Sequence, residues 1–139
     1  VNNVTAVCRD SSVFDPAYEN AFGGVLCDVP CSGLGIIRKK PEIRFKNPDE
    51  IRTLPEIQAK ILANCAQYVK KGGTLVYSTC TILQRENEDV VRAFLTENPE
   101  FEAVSWTHPV CGERADGMVT LLPPVHNTDG FFIAKMHRK

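Results

Sequence analysis

Two short apolar runs, Gly24-Val25-Leu26-Cys27 and Gly73-Thr74-Leu75-Val76-Tyr77, limit the possible fold more than any other feature of the chain. The first is continuous in apolar character, as strands covered on both faces of a parallel sheet tend to be. Each run passes straight into a cysteine-bearing turn. Asp28-Val29-Pro30-Cys31-Ser32-Gly33 follows the first, and Ser78-Thr79-Cys80-Thr81 follows the second. In open α/β sheets the carboxyl ends of the strands form the rim where substrates bind. Two thiols delivered to one rim point to nucleophilic chemistry.

The remaining pattern supports an alternating α/β chain. Asn3-Val4-Thr5-Ala6-Val7-Cys8 reads as a short strand with β-branched bias. Ser11 to Phe22 reads as loop or weak helix, broken by Pro16. Gly33 to Pro48 is irregular. Thr53-Leu54-Pro55-Glu56 reads as a capping box that starts a helix. Leu54, Ile57, Ile61, Cys65 and Tyr68 then recur at helical spacing, and Gly72-Gly73 stops the helix after Lys70-Lys71. A second helix spans about Glu86 to Glu97, with Val90, Val91, Phe94 and Leu95 inward. Phe101 to Trp106 reads as a strand, Thr107 to Leu122 mostly as loop, and Phe131 to Met136 as a last strand entered through Thr128-Asp129-Gly130. This order implies a largely parallel sheet with one antiparallel strand among the last two.

Composition narrows the function classes. With 139 residues, 43% apolar and 24% charged, the chain fits one ordinary globular domain. A net charge of −1 leaves room for only a local basic patch. No apolar stretch approaches the ~20 residues that span a bilayer, and no signal peptide is visible. The six cysteines contain no C-x-x-C pair, which argues against structural zinc and against a dithiol redox protein. They read as reduced thiols in a cytoplasmic protein, with Cys27 and Cys65 as apolar fillers and Cys8 and Cys111 incidental. A cysteine hydrolase would need a partner base, and His108, His126 and His137 all fall in late loops or the tail. No metal site is expected.

Cysteine is the side chain best suited to add to an electron-poor ring carbon. Such chemistry needs an exposed thiol, an acid that polarises the ring and a base for a later proton. Cys80, Asp28 and Cys31 are the candidates, and Pro30, with φ fixed, aims the turn that holds two of them. Arg38-Lys39-Lys40 and Arg44 with Lys46, interleaved with Ile43 and Phe45, form a basic cluster that by itself reads as an ordinary solvated loop and, beside the Pro30-Cys31-Ser32-Gly33 turn, as a patch able to meet phosphates.

The motifs resemble a known family. Asp28-Val29-Pro30-Cys31-Ser32-Gly33-Leu34-Gly35, Pro41-Glu42-Ile43-Arg44, Gly72-Gly73-Thr74-Leu75-Val76-Tyr77-Ser78-Thr79-Cys80-Thr81, Glu86-Asn87-Glu88 and Thr128-Asp129-Gly130-Phe131-Phe132 are similar, in family order, to the Fmu/Sun (RsmB-type) RNA cytosine-5 methyltransferases. The family usually carries alanine where this chain has Val29. The resemblance implies methyl transfer from S-adenosylmethionine to carbon 5 of a cytosine in RNA, with ribosomal RNA the suggested substrate. It implies that Cys80 adds to carbon 6, that Cys31 helps remove the carbon 5 proton, and that Asp28 hydrogen-bonds the cytosine edge. It places Asp10 near the cofactor adenine, with Asp28 and Pro30 also at the cofactor. The base must be single-stranded or flipped out.

The same resemblance implies a partial Rossmann-like fold. The family binds cofactor through a glycine-rich turn after its first strand, and no such turn is found in residues 1–139. The chain therefore reads as the carboxyl-terminal portion of one catalytic domain, lacking the first two strands of the order 3-2-1-4-5-7-6, and as inactive by itself. Val4 to Cys8 is then expected out of place, and the Gly24 to Cys27 strand is expected to have an open edge that invites self-association. The alternative reading is a non-catalytic RNA-binding or interaction fragment.

Overall fold

A computed structural model describes residues 2–139. Strand β1 (Phe22–Asp28) leads through two short 3-10 turns to helix α1 (Pro48–Tyr68), which runs directly into β2 (Val69–Thr79). Helix α2 (Glu88–Glu97) precedes four short strands: β3 (Phe101–Ala103), β4 (Trp106–His108), β5 (Gly112–Arg114) and β6 (Met118–Leu121). A single helical turn, α3 (Pro123–His126), then leads to the final strand, β7 (Phe131–Arg138).

The main sheet has the order β1-β2-β7, and β3 and β6 share the far edge of β7. β1 and β2 are parallel, with Asp28 opposite Ser78. β7 runs antiparallel to β2, β3 and β6. Four strands thus point one way and β7 alone points back. This is the expected mostly parallel sheet with one reversed strand, and it reproduces the 4-5-7-6 end of the family order. β3 pairs with Met136 to Arg138 and β6 with Phe131 to Ala134, so together they do the work of one edge strand. The β4–β5 hairpin is the excursion between them.

The core follows from alternation along the strands. Cys27, Tyr77 and Ala134 share one row, and Leu75 and Met136 lie opposite one another in the next. All five are buried, together with Ile61, Leu62 and Ala66 of α1 and Val90, Val91 and Phe94 of α2. Full burial of one such side chain, Leu62, is worth roughly 1.5–3 kcal/mol. The Tyr77 hydroxyl reaches through this layer and donates to the Glu86 carbonyl at 2.6 Å.

Several expectations need correction. Asn3 to Cys8 is not a strand, and Val4 is 74% exposed. A lone β-branched run has no stability without a paired neighbour. Its displacement was expected from the absence of one. The next segment is held instead by α1: Asp15 N donates to the Tyr68 hydroxyl at 2.9 Å, and Phe14 stacks on Tyr68. Helix α1 starts at Pro48, not at Thr53. Asn47 caps it by accepting from Asp49 N at 3.0 Å, Pro48 fills the first turn, and Asp49 and Glu50 meet the positive end of the dipole. Pro55 lies inside the helix.

The buried face of α1 is also rotated from the expected one. Gln58, Ile61, Leu62 and Ala66 are buried, whereas Ile57 is 39% exposed. A polar residue, Gln58, occupies the inner face, so apolar spacing alone misplaced the stripe. Gly72-Gly73 does not separate helix from strand. Residues 70–73 form an excursion within β2, where the register jumps from Val69 to Thr74 opposite Phe22 and Gly24. Residues 101–106 split into β3 and β4, and 107–122 hold β5 and β6 instead of mostly loop. β6 is only four residues long and is bounded by Gly117 and Pro123, which reads locally as a turn-rich stretch.

On its other side β1 pairs with no strand among the described residues. Leu26, which faces away from the helices, is 69% exposed. The open apolar edge expected from the sequence is therefore present. No described helix is long and apolar enough to cross a membrane.

Candidate functional site

The parallel register of β1 and β2 brings the two cysteine turns together. Asp28 and Ser78 are level, Val29 N donates to the Ser78 carbonyl at 3.2 Å, and each chain then leaves the sheet at the same rim. Cys31 Sγ and Cys80 Sγ end 3.1 Å apart, both half-buried. They line a cavity of about 380 Å3 with Gly33, Ile36, Lys40, Glu42, Ile43 and Lys46.

Close-packed backbone supports the Cys80 turn. Gly35 N donates to the Cys80 carbonyl at 3.0 Å, and Gly130 N donates to the Gly35 carbonyl at 2.8 Å. A methyl group at Gly35 would overlap the Gly130 carbonyl and sit 2.8 Å from the Cys80 carbonyl oxygen. Gly35→Ala is therefore expected to destabilise the chain by about 1–3 kcal/mol, read as a lower midpoint in urea unfolding.

The two thiols differ electrostatically. Burial first, then the bond to Cys80 and the charge on Cys80, push the Cys31 thiol up to about 12. Backbone N–H groups of Gly33 and Cys80 aimed at its sulfur oppose this in part. Cys31 thus holds its proton and can donate it to the Cys80 sulfur. Removing Cys80 removes two of the three upward influences. In Cys80→Ala the pH midpoint for Cys31 alkylation by iodoacetamide is expected to fall clearly below about 12. A raised thiol pKa also means that the folded state keeps a proton the unfolded chain releases. This contribution is complete below the ordinary thiol value and is lost as pH climbs through about 12. Cys27 is a different case: its bond to Cys65 and its burial push it far upward, which leaves it inert.

The other sequence candidates divide. Asp28 Oδ1 accepts from Ser78 Oγ at 2.8 Å at the exposed end of β1, beside the thiol turns. The Pro30 carbonyl is taken by Gln58 Nε2 at 3.0 Å. Asp10 is held below the usual carboxylate range by the Ser12 hydroxyl and, next, its backbone N–H. It lines a separate cavity of about 320 Å3 with Arg9, Val13, Phe14, Asp15 and Pro16, and shares no residue with the thiol cavity. Of the basic cluster, Lys40 lines the thiol cavity. Arg38 and Lys39 pair with Asp129 at 3.6 and 2.5 Å. Lys39 is the main reason that the Asp129 carboxyl is held low. Arg44 is exposed and has no acidic partner among the described residues. Lys46 Nζ donates to the Ser32 carbonyl at 2.9 Å.

Sequence reasoning missed the walls and the supports. Ile36, Glu42 and Ile43 carry no chemical signature that marks them as cavity lining. Gln58 had one visible signal: a polar residue among the apolar positions of α1.

The sheet order is that of part of a methyltransferase fold. Comparison with known proteins fixes the family. The family model for the 16S rRNA methyltransferase RsmB/F matches residues 1–137, and the chain belongs to this family. A probable ribosomal RNA small subunit methyltransferase B of Bacillus subtilis is 43% identical over 98% of this chain and 32% of its own length. The ribosomal RNA small subunit methyltransferase F of Cronobacter sakazakii is 32% identical over 99% of this chain and 30% of its own. The crystal structure of NSun6 from Pyrococcus horikoshii superposes with a TM-score of 0.78 at 26% identity, over 99% of this chain and 35% of that one. The chain thus spans about a third of the length of these relatives.

Proposed function

We propose that this chain is the carboxyl-terminal portion of a catalytic domain that methylates carbon 5 of a cytosine in small-subunit ribosomal RNA. The 3.1 Å contact between Cys31 and Cys80, open to a cavity beside basic side chains, carries the reading. Family membership and the relatives' names support rRNA methylation.

S-adenosylmethionine, when bound, supplies the methyl group. The donor chemistry at the rim fits it: Asp28 Oδ2 has no hydrogen-bond partner among the described residues and is open to a donor, with Pro30 shaping the turn beside it. Asp10 likewise keeps Oδ2 open.

The chain's own residues divide the work. Cys80, its proton passed to solvent, adds as thiolate through Sγ to cytosine carbon 6, and the new S–C6 bond makes carbon 5 electron-rich. Asp28 hydrogen-bonds the base edge and stabilises the adduct. Once carbon 5 carries its methyl group, Cys31 gives its own proton to solvent and, as thiolate, takes the carbon 5 proton. The C6–S bond breaks and Cys80 leaves as thiolate. Lys40 and Arg44 hold RNA phosphates next to the cavity, and Arg38 and Lys39 contribute once freed from Asp129.

The second reading, an RNA-binding piece without turnover of its own, is favoured for the isolated chain by the separation of Asp10 from the thiol cavity. The open edge of β1 then takes further strands of a longer domain or a second copy of this chain. The decisive measurement is transfer of labelled methyl from S-adenosylmethionine to small-subunit rRNA, followed by nucleoside analysis. It is run with the chain alone and with the full-length protein that contains it. Label in 5-methylcytidine supports the proposal. Label in any other nucleoside, or none from the full-length protein, overturns it.

A further inference from the structure

The dipeptide Glu86-Asn87 contacts both cysteine turns, one residue to each. Glu86 is fully buried. Its Oε2 accepts from Ser32 N at 2.9 Å and from Gln58 Nε2 at 3.0 Å. The same Gln58 amide donates to the Pro30 carbonyl at 3.0 Å. Residues 30 and 32, on either side of Cys31, are thus held by one carboxylate–amide pair. Asn87, also fully buried, repeats the arrangement on the other turn. Its Oδ1 accepts from Thr79 Oγ1 at 2.6 Å, and its Nδ2 donates to the Thr81 carbonyl at 3.1 Å. Residues 79 and 81, on either side of Cys80, are held by one amide.

Chemistry fixes the amide orientations. A carbonyl oxygen only accepts, so the nitrogens of Gln58 and Asn87 must face the Pro30 and Thr81 carbonyls. A cross-brace closes the figure: Ser32 Oγ and Thr81 Oγ1 are 2.7 Å apart. The dipeptide itself is anchored by Tyr77, which donates to the Glu86 carbonyl at 2.6 Å.

We propose that Glu86 and Asn87 are positioning residues that set the separation of the Cys31 and Cys80 sulfurs. The proposal rests on the reading of those thiols as the reactive pair. Neither residue reaches the cavity, so neither is catalytic. Each turn leaves the sheet with few ladder bonds of its own, and two adjacent residues on one rigid segment lock both turns to the same reference. Glu86 Oε1 and Gln58 Oε1 are buried without a partner among the described residues, so the two turns rest on Glu86 Oε2, Gln58 Nε2 and the Asn87 amide alone.

The test uses the chain itself, without RNA or cofactor. Dibromobimane bridges two thiols only when they are close, and the bridged Cys31–Cys80 peptides are counted by mass spectrometry over time. Circular dichroism reports the folded fraction. The unaltered chain is expected to bridge readily. Glu86→Ala and Asn87→Ala are expected to bridge at least about tenfold more slowly at equal folded fraction, the scale of loss that follows misplacement of reacting groups. Glu86→Gln is expected to restore most of the rate, because its carbonyl oxygen can accept the same two N–H groups. Asn87→Asp keeps the acceptor for Thr79 and loses the donor to Thr81, so its rate is expected to lie between.

A folded Glu86→Ala chain that bridges at the unaltered rate overturns the proposal. If Glu86→Ala does not fold, an unaltered rate in Asn87→Asp overturns it. A merely structural role lowers the melting temperature of each variant without slowing the bridging of the folded fraction. Failure of methyl transfer with Glu86-dependent bridging intact sinks the functional reading and leaves this one standing.

Discussion

Cys80→Ala in the full-length protein is expected to abolish covalent capture of RNA that carries 5-fluorocytosine, with a loss of at least about a thousandfold in adduct formed per minute. Fluorine at carbon 5 cannot leave as a cation. Once sulfur has added at carbon 6 and the methyl group has arrived, no base can complete the elimination, and the protein stays on the RNA through denaturing electrophoresis. Cys31→Ala must still form this adduct, because the nucleophile is intact. Equal capture by the Cys80→Ala protein would remove residue 80 as the nucleophile. Burial and the neighbouring sulfur push the Cys31 thiol upward, which is consistent with Cys31 as the proton-holding member of the pair.

The meeting of these sulfurs was legible because it depends on short-range facts. Two apolar runs announce adjacent parallel strands, and each cysteine lies within three residues of its strand's end. Parallel register then delivers both to one rim. The sheet order was legible from the family resemblance, since the position of β1 at an unpaired edge follows from it. What failed depended on competition. Asn47-Pro48 and Thr53-Leu54-Pro55 both look like helix starts, and only the first lies where a side chain reaches a free backbone N–H. Arg38 and Lys39 looked like free phosphate ligands, but Asp129, about ninety residues away in sequence, holds both. Glu86 and Asn87 stood within a recognised block without a role, because their function is a set of hydrogen bonds to turns that sequence alone does not bring near them.

The second large effect is expected from Cys31→Ala with ordinary RNA. Addition and methyl transfer proceed, but the carbon 5 proton has no acceptor and the C6–S bond does not break. A protein–RNA complex should therefore accumulate during turnover and survive denaturing electrophoresis, while multiple turnover falls by about 10²–10⁴-fold, the usual weight of one positioned base. The pairing of the thiols explains why Cys31 acts only late. In the free site two of the influences that raise its pKa come from Cys80: the sulfur–sulfur hydrogen bond and the charge on that sulfur. Conversion of Cys80 to a thioether removes the charge on that sulfur and weakens its hydrogen bond, so two of the influences that raise the Cys31 pKa decline while burial, the largest, remains. Cys31 is then expected to release its proton to solvent more readily at the stage where a base is needed. The release rate should accordingly rise with pH in the unaltered protein, as the Cys31 thiolate becomes populated, and be low and flat with pH in Cys31→Ala. Quench-flow measurement of adduct decay across the alkaline range tests this. A Cys31→Ala protein that releases its RNA with the unaltered rate and pH profile would exclude Cys31 from the elimination step.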